Sequence, residues 1–398
     1  MLVESAKRDS VLMIDEPVSE VTYVLDLGIP ICLVACANSY ESLIVLRCRE
    51  FIELPSLNDT AFQNAKLQTP KYAISFTEKG VPGISAAAEK LYLEGSCPTA
   101  ALPFFYDKMQ MRKVLSNFGN RVNFYSLPKL MNGELPCGSY VVKPNSGTGS
   151  ESVFLVKVLN GELSWPEEIN FQPEPNREYT VETFLHGQEY STDCFVRDGV
   201  VTILGIAAKG TQFKNSFVES SHLVGPVLSD EHTEQLRILL ERIFQQVGYV
   251  VGCSHVEFKV TEQRDIQFIE FHPRPGGDEL IPAIAKATGN ELGDYLVSYW
   301  KGAPTPMLKT IKGWFFIQFL MGDWSDTLAE LSKQIPKHSF SYRKLKGNLE
   351  QLVPHNSAGR DFLLTIYGET WIEFLTIFHT IKTRVPLDSL PMQLEIEL

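Results

Sequence analysis

Positive charge is in short supply: 36 Lys and Arg face 48 Asp and Glu, for a formal net charge of -12. A chain that gripped nucleic acid through its phosphates would need a basic surface. No basic run is visible, so nucleic-acid partners are set aside. No stretch of about 18 consecutive apolar residues occurs, which excludes a membrane-spanning helix. Met1 to Asp15 has no basic stretch followed by a long apolar one, so no signal peptide is expected and a cytoplasmic location is. Cysteine is sparse and scattered: 7 residues, at 32, 36, 48, 97, 137, 194 and 253. Cys32 and Cys36 lack a second pair that would complete a zinc site, and reduced, buried thiols are the reading. Two glycine signatures are also missing. No G-x-G-x-x-G follows the first apolar run, and no G-x-x-x-x-G-K-[ST] occurs anywhere, which removes dinucleotide dehydrogenases and P-loop enzymes.

What is present is a globular chain. Its 398 residues, 44% hydrophobic and 21% charged, suit two or three domains without metal or disulfide staples. Ser10–Ile14, Ile31–Ala35 and Tyr72–Phe76 are apolar runs suited to strands. Helical spacing over Val18–Leu27 and Pro82–Leu93 alternates with them. This predicts a small parallel α/β domain in the first hundred residues. Asp107–Phe118 reads as a helix capped by Asp107 and ended by Gly119. Ser229–Val247 is a longer amphipathic helix ended by Gly248. Asp198-Gly199, between the runs Tyr190–Val196 and Val200–Ile206, is a hairpin turn signal. Trp314–Met321, Phe362–Tyr367 and Trp371–Ile381 predict a further α/β lobe.

The densest chemistry lies in His255–Val260 and Ile266–Asp278. With Glu262–Asp265 as a four-residue turn, antiparallel pairing sets Glu257 opposite Glu270, Phe258 opposite Ile269, Val256 opposite Phe271 and His255 opposite His272. Like charges facing across a ladder are destabilising. Either one carboxyl is protonated or a cation lies between them, and hard divalent cations favour such oxygen donors. Arg274 follows at once, inside a Pro-Arg-Pro-Gly-Gly turn of the kind that lines a site. It could add positive charge where a phosphoryl group transfers.

A second constellation is Tyr140–Ser150. Lys143 ends a strand, and Gly147 and Gly149 let the backbone approach a ligand. Backbone N–H groups with the hydroxyls of Ser146, Thr148 and Ser150 can hold phosphate oxygens. Lys108 lies in the first turn of its helix. Glu182 and Glu189 flank a strand break and could accept from an adenine amino group and ribose hydroxyls.

Taken in order, Asp107-Lys108, Lys143-Pro144 with Gly147–Ser150, Glu182 with Gly187-Gln188-Glu189, Glu257-Phe258 and Glu270–Gly277 resemble the ATP-grasp superfamily over roughly residues 75 to 300. Thr77-Glu78 and Phe217–Pro226 resemble its carboxylate–amine ligases, which make dipeptides and peptide-like natural products. The resemblance implies an α/β fold in four parts. These are a Rossmann-like domain over 1–105, a small mobile lid over 106–180, a larger antiparallel-sheet catalytic domain over 181–302 and a C-terminal α/β lobe over 303–398. It implies that Lys108, Lys143 and the Gly147–Ser150 loop hold ATP phosphates, that Glu182, Phe184 and Leu185 meet adenine, and that Glu189 meets ribose. Glu257 and Glu270 would bind magnesium or manganese. His272 stands where Asn is frequent, and both metal ligation and a supporting hydrogen bond stay open for it. Arg274 would stabilise the transferring phosphoryl group. Glu219, His222, Arg274, Gly276, Gly277 and Asp278 would face the substrates, with Glu219 and Asp278 on an ammonium. The implied partners are a small carboxylate and a small amine joined as an amide through an acyl phosphate, as in dapdiamide- or bacilysin-like assembly. The alternatives are another enzyme of the superfamily, such as a purine-pathway ligase or a biotin-carboxylase-like carboxylase, or a non-catalytic nucleotide-binding module. A homodimer is allowed for.

Overall fold

The computed structural model describes residues 8–36, 40–54, 70–147, 149–165, 173–174, 177–210, 217–309, 313–345 and 359–391. In β1 (Arg8–Ile14), Val11, Leu12 and Met13 are fully buried. Such an apolar run on both faces is the pattern of a strand covered on both sides. It pairs in parallel with β2 (Ile31–Cys36) and β4 (Pro70–Ala73), and β3 (Glu50–Leu54) completes the order β3-β2-β1-β4. The helix Val18–Asp26 buries Val21 and Val24 here. The helix expected over Pro82–Leu93 spans Gly80–Leu91 and stops where Tyr92 turns left-handed at φ 54.

The middle of the chain forms a five-stranded antiparallel sheet. Its strands are β5 (Phe124–Ser126), β6 (Gly138–Pro144), β7 (Phe154–Leu159), β8 (Glu162–Ser164) and β9 (Tyr179–Thr183), in the order β5-β9-β6-β7-β8. Alternate residues Tyr140, Val142, Val156, Val158 and Val181 bury one face against Leu127 and Leu130, the period-2 pattern of a half-covered sheet. The expected boundary at 180/181 falls inside β9.

The third sheet has eight strands in the order β14-β13-β10-β11-β12-β15-β17-β16. They are β10 (Gln188–Arg197), β11 (Val200–Gly210), β12 (Ser221–Val224), β13 (Val251–Val260), β14 (Ile266–His272), β15 (Trp314–Leu320), β16 (Phe340–Lys344) and β17 (Phe362–Gly368). β10 and β11 turn through Asp198 and Gly199, both at positive φ, 53 and 79, the backbone twist a two-residue hairpin needs. The helix Asp230–Val247 is capped by the Ser229 hydroxyl and ended by Gly248, and buries Leu236, Leu240, Ile243 and Phe244. Strands of the last hundred residues extend this sheet through β12–β15 pairing, so 303–398 shares its hydrogen-bonded framework. Among the described residues, no helix is long and apolar enough to cross a membrane.

Candidate active site

β13 and β14 set the centre of the site. His255 faces His272, Val256 faces Phe271 and Glu257 faces Glu270, as the alternation predicts. Phe258 pairs with Phe268, which corrects the expected partner Ile269. Two departures cancel. The strands close at Val260 and Ile266, so the turn Thr261–Asp265 is one residue longer than expected, and a bulge at Ile269 absorbs the extra residue. Bulges leave ladder groups without strand partners. Here Arg112 donates to the carbonyls of Phe268 at 2.7 Å and Ile269 at 3.0 Å.

The opposed glutamates are held by cations. Glu257 lies 3.1 Å from Lys209 Nζ, and Glu270 lies 3.4 Å from Lys108 Nζ and 3.7 Å from Lys143 Nζ. Burial opposes their charge, but Lys209 and His255 hold the Glu257 carboxyl well below its ordinary range, and Lys108 and Lys143 hold Glu270 down. Each glutamate also faces an imidazole backed by another acid. Asp193 Oδ2 is 3.1 Å from His255 Nδ1, whose Nε2 is 3.6 Å from Glu257. Glu78 Oε2 is 3.0 Å from His272 Nδ1, whose Nε2 is 3.6 Å from Glu270. Burial opposes protonation of His255, yet Asp193 outweighs it and raises the imidazole to about 9. Burial likewise works against Glu78, but His272 and Arg274 hold its carboxyl at about 2.

Lys143, next to last in β6, has its side chain 5% exposed and 2.9 Å from Glu182 Oε2. Glu182 also takes a bidentate pair from Arg112, at 2.8 and 2.7 Å. Both its oxygens are therefore engaged by protein cations, a different placement from an acid left open to adenine. Burial opposes its ionisation, and Arg112 and Lys143 overcome this and hold it at about 2. Burial also lowers the Lys143 ammonium, with Glu182 acting against it. Asn145 knits the elements together: its Oδ1 accepts from Met109 N and from Thr180 Oγ1, each at 3.1 Å. Lys108 Nζ reaches Gly147 O at 3.4 Å. In the loop beyond, Gly147 and Gly149 have φ 148 and 69, and Ser150 Oγ donates to Phe217 O at 3.0 Å. Ser146 is exposed, and Thr148 lies outside the described residues.

At the far edge, Lys259 Nζ sits 4.9 Å from the Phe184 ring centre, donates to Leu185 O at 3.1 Å and lies 3.6 Å from Glu189. Glu189 also meets Lys209 at 3.2 Å, and Glu219 meets the same ammonium at 2.9 Å. One ammonium, 1% exposed, thus serves Glu189, Glu219 and Glu257. Burial acts against its charge, but the three acids raise it well above its ordinary value. Asp278, expected to be open to an ammonium, is instead paired with Arg360 at 2.8 and 2.5 Å and with His222 Nε2 at 3.3 Å. Burial opposes its charge too, and these partners outweigh it and depress the carboxyl. Arg274 donates through Nε to Glu78 at 2.6 Å. Gly276 N donates to Asp193 Oδ1 at 2.6 Å, and a Cβ there would lie 2.6 Å from His255 Nδ1. Only glycine fits that approach.

These groups converge on a cavity of about 310 Å³, lined by Lys108, Lys143, Gly147, Gly149, Ser150, Glu182, Phe184, Leu185, Glu189, Glu219, His222, Glu257, Glu270, His272, Arg274, Gly277 and Asp278. Ser146 and Gly276 do not line it. Sequence reasoning overlooked Arg112, Lys209, Lys259 and Arg360. Lys209 had a visible signal, as the lone charge in the run Ile203–Gly210. Among the described residues, no group of three or more His, Cys, Asp or Glu is arranged to hold a metal. Glu257 and Glu270 fit an ion that takes its remaining ligands from elsewhere, as magnesium does with one or two carboxylates and substrate phosphates.

Residues 135–283 match the family described as ATP-grasp domain. The chain is 25% identical over 147 residues to an alanine–anticapsin ligase of Bacillus amyloliquefaciens, covering 34% of this chain and 30% of that protein. It is 27% identical over 186 residues to a D-alanine–D-alanine ligase of Flavobacterium johnsoniae, covering 45% of this chain and 54% of that protein. It thus spans about a third and about half the lengths of these two curated relatives. A solved L-amino acid ligase from Bacillus licheniformis superposes with a TM-score of 0.71 at 17% identity, over 95% of this chain and 98% of that one.

Proposed function

The chain carries an ATP-grasp domain within an ATP-grasp fold, and from that premise we propose that it is an ATP-dependent carboxylate–amine ligase acting on amino acid-like substrates. One observation carries the reading. The opposed pair Glu257 and Glu270, the cations Lys108, Lys143 and Arg274, and the substrate-end pair Glu219 and His222 line a single cavity. The likeness to an alanine–anticapsin ligase supports amino acid-like substrates and a place in peptide-like natural product assembly.

Lys108 and Lys143 hold the nucleotide phosphates, and the Gly147–Ser150 loop folds over them. Phe184 and Leu185 meet the base, and Glu189 the ribose. Glu182 acts on Lys143, fixing its ammonium with Arg112. Glu257 and Glu270 would hold a magnesium or manganese ion, which supplies charge neutralisation on the phosphates when bound. His272 orients Glu270 from Glu78, as His255 orients Glu257 from Asp193. A substrate carboxylate oxygen bonds to the γ-phosphorus as the bond to ADP breaks, giving an acyl phosphate. Enclosure of the cavity keeps water from it. The amine then bonds to the acyl carbon, Arg274 faces the oxyanion, and the C–O bond to phosphate breaks. The products are an amide, ADP, phosphate and one proton. With an ¹⁸O-labelled carboxylate, one label per turnover should appear in phosphate. Label in AMP, or none in phosphate, would contradict this route.

A further inference from the structure

We propose that Asp388, in the segment after the helix Trp371–Lys382, is a positioning residue for the substrate-facing stretch Glu219–His222; the inference rests on the functional reading above for what that stretch binds. Ser220 and Ser221, the two residues between Glu219 and His222, both donate their hydroxyls to Asp388 Oδ2, at 2.5 and 2.6 Å. Gln318 of β15 closes the arrangement: its Nε2 donates to Asp388 Oδ1 at 3.3 Å, and its Oε1 accepts from Asp388 N at 2.8 Å. Asp388 is 5% exposed, and a Cβ on Gly210 would collide with its carboxylate and with the Ser221 hydroxyl.

The placement is selective. The segment docks through Val385, Leu387 and Leu390, all buried in the main core, so an anion is not required to seat it. Burying an ionised carboxylate is costly unless donors meet it, and two of the donors here are hydroxyls from the pair flanked by the substrate-end residues. The backbone of Ser220 is pinned as well, its N donating to Gly210 O and its O accepting from Phe319 N, each at 2.8 Å. Glu219 and His222 are then presented to Lys209 and Asp278. Through these two hydroxyls Asp388 thereby acts on the substrate end of the cavity, at Glu219 and His222.

Asp388→Ala and the double variant Ser220→Ala/Ser221→Ala cut the same link from its two sides. Two readouts apply: amide hydrogen exchange over 219–224 without substrate, and steady-state KM values for the amine and for ATP. Both variants should exchange at least tenfold faster over 219–224, with exchange over 182–189 unchanged. Both should raise the amine KM at least tenfold and keep the ATP KM within twofold, and the combined triple variant should be no worse than either. Unchanged exchange over 219–224 in the variants overturns the proposal, as does an equal loss in every parameter. Glu219→Ala separates the two readings. If it leaves the amine KM unaltered while Asp388→Ala still accelerates exchange, the substrate assignment fails and the positioning stands. If Asp388→Ala does not fold, the double variant, which keeps the carboxylate on Gln318, carries the test.

Discussion

Glu182 shows how a single side chain's meaning changes with its partners. By sequence it is an acid beside a strand break. In the fold it is the only carboxylate within bridging distance of both Arg112 and Lys143 among the described residues. Removing one member of a buried charge group leaves the others uncompensated, typically at about 3–5 kcal/mol. Glu182→Gln should therefore lower unfolding stability by roughly 3 kcal/mol in urea titration and raise the ATP KM through a displaced Lys143. Retained stability would show that the guanidinium and ammonium find other anions. Arg274→Ala and Glu270→Gln are different in kind. Their partners keep other counter-charges, Lys143 on Glu182 and Glu78 beside His272, so the fold should persist, while turnover drops at least about 100-fold, the scale on which one transition-state donor acts. Circular dichroism with ADP-release rates checks both halves. Lys143, Glu257, Glu270 and Arg274 were legible because each sits in a local pattern. Arg112 and Arg360 were not, because what makes them matter is a partner far along the chain, Glu182 for Arg112 and Asp278 for Arg360; Lys209 stood out as a lone charge, but its partner Glu257 is equally distant.

At the scale of elements, the β13–β14 hairpin carries the account. Antiparallel pairing about an assumed four-residue turn placed Glu257 opposite Glu270, and this pair stands although neither the turn length nor the Phe258 pairing does. Local alternation encodes which face a residue takes. It does not encode a bulge, which here depends on Arg112 arriving from the helix Lys108–Leu115 to take the carbonyls of Phe268 and Ile269. Caps and hairpins with glycine or Asp signals, at Asp107, Asp198-Gly199 and Gly248, were readable because their backbone needs are local. The same locality gives a test. Gly276→Ala places a Cβ against His255 and Asp193, so the loop bearing Arg274 must shift. Turnover should fall about 100-fold, since small misplacements of a positioned group cost on that order, while the melting temperature changes little. Undiminished turnover would show that this loop's approach to β13 has no bearing on Arg274.

The whole molecule adds a titration that the site does not contain. Glu16, at the end of the parallel sheet, accepts from Ser75 Oγ and from Phe76 N, and so holds the loop that delivers Glu78. Burial, only partly offset by Ser75, raises its carboxyl from 4.5 to about 7. A raised folded-state value means that its contribution to stability is complete below pH 4.5 and is lost as pH rises through 7. Glu16→Gln removes that dependence. The stability of wild type relative to the variant should fall by an order of 3 kcal/mol between pH 4.5 and 7, read from urea midpoints; a flat difference would place the titration elsewhere. The depressed acids Glu78 and Glu182 act in a separate window, losing stability only as pH drops below 4.5 toward 2.

The central claim is that one cavity joins a carboxylate to an amine at the expense of ATP. Its most direct test is ADP release across a matrix of amino acids supplied singly and in pairs, with mass spectrometry of the products. The account expects release that requires both a carboxylate and an amine, with an amide formed in equal amount to ADP. Release driven by bicarbonate alone, or release with no amine-dependent product, would contradict it.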